Sequence, residues 1–128
     1  MLWILQALAL AGFLASLTVH VAALAGVAAP DYAMGLHVGV FAVFVPAILL
    51  GRPLAAGQDR RAFWGTVLRG CPFWVKGLLP LLVLYAMLNF FRSAGGPQDD
   101  PVLTMRMFSG HWMIFYFLSF AILGSYRR

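Results

Sequence analysis

Residues 1–30 read MLWILQALALAGFLASLTVHVAALAGVAAP, with no charged side chain anywhere in the run. Its apolar part, Leu2 to about Val27, exceeds the roughly 20 helical residues that a hydrocarbon core demands, so it predicts a first membrane span. A cleaved secretory leader is the competing reading, since the Ala-rich stretch 22–29 offers small residues for cleavage. No Lys or Arg precedes the run, and it is longer than a leader's apolar segment, so a retained span is expected.

Three further apolar runs follow. After a turn at Ala29, Pro30, Asp31 and Tyr32, residues 34–51 are uncharged and interrupted only by Pro46, which a membrane helix tolerates. A third span is expected over 73–91, with Lys76 near enough to its start to snorkel and Pro80 inside it. Residues 92–106 hold Ser93, Gly95, Gly96, Pro97, Asp99, Asp100 and Pro101, which predict a polar loop. The fourth span is expected over 107–126. Between the second and third, Arg52, Arg60, Arg61, Arg69 and Lys76 face only Asp59. There Phe63, Trp64, Val67, Leu68 and Cys71 recur at helical spacing, which predicts a short amphipathic interfacial helix across about 58–71.

The expected fold class is therefore an all-α membrane protein: one domain over 1–128, with four transmembrane helices in an up-down bundle and an interfacial helix between the second and third. Composition agrees. With 62% hydrophobic and 10% charged residues and a mean hydropathy of +0.88, a 128-residue chain has far more apolar surface than one small core hides from water. The lipid bilayer is the expected partner. The net charge of +5 does not indicate nucleic acid, because the basic residues flank the apolar runs and form no stripe that could track phosphates. Arg60, Arg61, Arg69 and Lys76 are instead candidates for lipid headgroups, and Trp64, Trp74, Trp112 and Tyr126 for interfacial anchors. Cys71 is the single cysteine, which excludes an intramolecular disulfide and any multi-cysteine metal site.

Lys and Arg set the expected orientation. With the N-terminus cytoplasmic, seven of the nine basic residues lie inside and three of the four Asp outside, so an N-in, C-in arrangement is expected. At about 1.5 Å of rise per residue, His20, His37 and His111 then share one layer near the outer ends of three spans, with Tyr85 and Asn89 of the third at similar depth. Imidazole binds haem iron and copper, and thioether binds cuprous copper, so His20, His37, His111 and Met113 are candidate ligands for b-type haem or copper. The plainer alternative is hydrogen bonding between helices, which satisfies polar groups in a membrane without any cofactor. A third is a ligand or proton-handling site. No carboxylate lies in a span and no nucleophile-base pair is recognisable, which weighs against an enzyme and weakens a small transporter component.

Small residues supply a second pattern. Ala9, Gly12, Ser16 and His20 follow at spacings of three and four, marking one face of the first helix, and Gly35 and Gly39 bracket His37. Such faces allow close helix packing, within one chain or between copies in a homo-oligomer or membrane complex.

Three stretches carry a resemblance: Leu36-His37-Val38-Gly39-Val40 with Val45-Pro46-Ala47, then Arg69-Gly70-Cys71-Pro72, then Phe108-Ser109-Gly110-His111-Trp112-Met113 continuing through Phe115-Tyr116. From about Val19 onward the chain resembles a family of small, uncharacterised four-helix bacterial inner-membrane proteins with this FSGHWM-type motif. The resemblance implies a bacterial inner-membrane location and no activity, ligand or catalytic residue.

Overall fold

A computed structural model describes residues 2–57, 59, 62–97 and 99–126. Among the described residues the structure is all-helical, and four helices are long and apolar enough to cross a membrane. They are α1 (Leu2–Leu24), α2 (Gly35–Gly51), α4 (Phe73–Ala94) and α5 (Pro101–Tyr126). The short α3 (Phe63–Val67) lies between α2 and α4. Single 3₁₀ turns, Asp31–Met34 and Arg52–Ala55, lead into and out of α2. Neither Pro46 in α2 nor Pro80 in α4 ends its helix.

The long helices alternate in direction. His20, late in α1, meets Ser109, early in α5, whereas Gly124 near the other end of α5 lies beside Gln6 at the start of α1. The bundle is not a square, because α5 packs extensively on all three other spans. Within the best spanning stretch, 61% of α5 is buried, against 28% of α1 and 17% of α4. Trp112, Met113, Tyr116, Ile122 and Leu123 of α5 fill the centre. Outward, Leu8, Leu14 and Val21 of α1 and Leu81, Leu84 and Leu88 of α4 are exposed. That is the surface of a protein whose solvent is hydrocarbon, since water tolerates no apolar surface so continuous.

Small residues decide how close the helices come. α1 buries Ala9, Gly12, Ser16, His20 and Ala23, a stripe one residue wide. Tyr116 of α5 enters the slot between Gly12 and Gly39 and donates a 2.8 Å hydrogen bond to the Leu36 carbonyl. A Cβ at either glycine would overlap the tyrosine, at ring carbons for Gly12 and at the hydroxyl for Gly39. Gly35 is different, because a Cβ there meets nothing. The two glycines that bracket His37 are thus unequal, and only Gly39 serves a close approach. Ser16 is fully buried, and its Oγ has no hydrogen-bond partner among the described residues.

The interfacial segment is more firmly held than its amphipathic pattern suggests. Its helix is only five residues long, and Gly70 and Pro72 close it off. Val67 is fully buried, Cys71 donates its S–H to the Ala121 carbonyl at 3.2 Å, and the Gly70 amide donates to Ser125 Oγ at 3.1 Å. The segment is clamped to the end of α5, with Trp64 left exposed. Lys76 turns back to the Arg69 carbonyl at 3.1 Å. The headgroup candidates Arg60 and Arg61 lie outside the described residues.

α5 begins six residues earlier than the apolar pattern implies. Asp100 Oδ1 accepts from the amides of Val102 (2.8 Å) and Leu103 (3.3 Å), and Pro101 takes the first helical position, where it has no amide to lose. Hydropathy marks where a helix can enter lipid, whereas capping marks where it starts. Arg106 therefore belongs to the helix and not to a polar loop. Asp100→Ala is expected to cost about 1 kcal/mol, the usual worth of such a cap. Amide exchange at Val102 and Leu103 should accelerate while that of the buried part of α5 does not.

Candidate functional site

Three histidines contact or occupy α5 within one turn, at Ser109, His111 and Trp112, yet they do not form one cluster. His20 is 2% exposed and lies between α1, α4 and α5. Its Nε2 is 2.6 Å from Tyr85 Oη and its Nδ1 is 2.9 Å from Ser109 Oγ. Ser109 donates its own proton to the Met105 carbonyl at 2.6 Å, so its oxygen accepts from His20 Nδ1–H. His20 Nε2 then carries the lone pair and accepts from the tyrosine hydroxyl. The result is one directed chain of hydrogen bonds, Tyr85 to His20 to Ser109 to backbone, joining three helices.

Asn89 of α4 extends this polar patch. Its Nδ2 donates to the Arg106 carbonyl at 2.9 Å, and Arg106 Nε donates to its Oδ1 at 2.8 Å. Gly110 makes this approach possible, because a Cβ there would stand 3.2 Å from Asn89 Nδ2. Sequence reasoning missed Ser109, Gly110 and Arg106. The small Ser-Gly pair beside His111 was the available signal for the first two, whereas Arg106 was hidden by its placement in a loop.

His37 and His111 are not part of that chain. They line a separate cleft of about 350 Å³ built mainly from α2 and α5, to which α4 contributes Phe90. Phe41 and Phe44 of α2, Phe90 of α4, and Phe108 and Phe115 of α5 form most of its walls. His37 Nδ1 accepts from Trp112 Nε1–H at 3.0 Å. Indole nitrogen only donates, so the His37 proton sits on Nε2. His111 Nδ1 donates to the Met107 carbonyl at 2.8 Å, which leaves the lone pair of its neutral ring on Nε2. Among the described residues neither Nε2 has a hydrogen-bond partner.

These tautomers bear directly on ligation. A metal-binding imidazole needs a free lone pair and commonly donates its other N–H to a carbonyl, and His111 meets both conditions. His37 does not, because Trp112 occupies its only lone pair. His20 has both nitrogens engaged, and Met113, though buried, is not part of the cleft. Among the described residues no group of three or more His, Cys, Asp or Glu is placed to hold a metal ion.

No protein-family model, curated protein or solved structure matches the chain. Its class rests on its own features: a multi-pass, all-helical membrane protein with a hydrogen-bonded polar layer and an aromatic cleft beside it.

Proposed function

We propose that this protein is a non-catalytic component of a bacterial inner membrane, oriented N-in and C-in, in which His20 and His37 bond the helices together and the bundle serves as a small accessory subunit. The observation that carries this reading is the state of His20, whose two ring nitrogens are both consumed in joining α1 to α4 and α5. A catalytic or ligating imidazole keeps a nitrogen available. The charge distribution supports the orientation, with the basic 52–76 segment on the cytoplasmic side. A second reading, ligation of haem b or copper, draws its support from the free Nε2 of His111.

The test is purification in mild detergent from haem- and copper-replete cells, followed by visible spectroscopy, metal analysis and native mass spectrometry. A colourless, metal-free protein that co-purifies in fixed stoichiometry with another membrane chain is expected. A stoichiometric Soret band or copper content would displace the accessory reading in favour of the second. Reporter fusions within 52–76 should report the cytoplasm, and the opposite result would reverse the orientation.

A further inference from the structure

We infer that the aromatic cleft is a binding site for a membrane-soluble aromatic diol of the hydroquinone type, held between His37 as hydrogen-bond donor and His111 as acceptor. The inference is independent of the accessory-subunit reading and of the orientation.

Two histidines, each with an Nε2 that has no partner among the described residues, line one cleft. His37 presents an N–H and His111 a lone pair, each fixed by the partner on the ring's other nitrogen. An acyl chain can satisfy neither nitrogen. The natural occupant therefore carries both an acceptor and a donor on an otherwise apolar body. A phenolic hydroxyl has both, and a ring with two hydroxyls can meet the two imidazoles from different edges.

The walls favour a flat ring. Phe44 and Phe115 meet edge to face at 5.0 Å, Phe90 meets His111 the same way at 5.5 Å, and Phe108 lies stacked on Trp112. Such a lining offers edges and faces to an aromatic guest. The cleft volume of about 350 Å³ falls within the range of small-molecule sites, roughly 300–1,000 Å³. Because the cleft is partly open and not an enclosed cavity, a hydrophobic tail attached to the ring could remain in the lipid.

The same geometry ranks the redox forms of such a ring without requiring the protein to interconvert them. A quinone has only carbonyl oxygens, which accept from His37 but give nothing to His111. The diol satisfies both.

The test uses the full chain in nanodiscs of synthetic phosphatidylcholine, titrated anaerobically with a short-chain benzohydroquinone and, separately, with its quinone. Quenching of tryptophan emission follows binding, since Trp112 lines the cleft. The diol is expected to bind about tenfold more tightly than the quinone, the worth of one extra hydrogen bond. His111→Phe should abolish that preference, and His37→Phe should weaken both forms. In case either variant misfolds, nitrogen-15 histidine spectra of the unaltered protein give an independent readout. The diol should move the Nε2 signals of His37 and His111 and leave those of His20 in place. Equal affinity for both forms, equal displacement by dodecane, or movement of His20 alone would overturn the inference.

Discussion

Gly39→Ala is expected to destabilise the bundle by about 1–3 kcal/mol, as overpacking of a close-fitted site does, and Tyr116→Phe is expected to restore most of that loss. A methyl at Gly39 collides with the Tyr116 hydroxyl, and the remaining contact, with ring carbon Cζ, is an ordinary 3.5 Å. Removing the hydroxyl removes the collision. It also removes the hydrogen bond to the Leu36 carbonyl, worth about 1 kcal/mol, so the single Tyr116→Phe variant is itself mildly destabilised. Gly12→Ala should behave differently. There the methyl meets Cδ1, Cε1 and Cζ of the ring, which phenylalanine retains, so Tyr116→Phe brings no rescue. Detergent-denaturant unfolding of the three single variants and the two double variants checks the pattern. Equal rescue at both glycines would show that Tyr116 does not occupy the slot between them.

His20→Leu is expected to cost about 1–4 kcal/mol, since interhelical hydrogen bonds in membranes are each worth roughly 0.6–2 kcal/mol and two are lost. Leucine fills the space but leaves the Tyr85 hydroxyl without its acceptor. The sign of a second change separates hydrogen bonding from packing. In the His20→Leu background, Tyr85→Phe should have little effect or should stabilise, whereas in the unaltered protein it should destabilise. The same unfolding assay reads both. If Tyr85→Phe costs the same in each background, the two residues are not coupled, and the directed chain from Tyr85 to Ser109 does not form.

The four spans were legible in the sequence because lipid imposes a blunt criterion, a run of about 20 apolar residues, that composition alone can meet. The spacing of small residues on α1 likewise announces the face that is buried, since only there can a backbone come close. What the sequence hid depended on direction around a helix and on local caps. His20, His37 and His111 share a layer, but which way each ring points follows from three-dimensional partners such as Trp112 and Ser109. Tyr116 carries no local signal, because its slot is assembled from α1 and α2 together. The start of α5 was obscured for another reason. Asp100 and Pro101 serve equally well in a turn and at a helix N-terminus, and only the amides of Val102 and Leu103 decide between them.

The central position of α5 also has a consequence for biosynthesis. The ribosome makes α1, α2 and α4 before the helix on which all three depend, and α1 and α2 contact each other much less than either contacts α5. As each segment leaves the translocation machinery it meets lipid and not its final neighbour. Until the sequence from Pro101 onward arrives, His20 lacks Ser109 and Asn89 lacks Arg106, and of the polar layer only the His20–Tyr85 bond between α1 and α4 can form. Nascent chains halted before that point should be the substrates of membrane quality control.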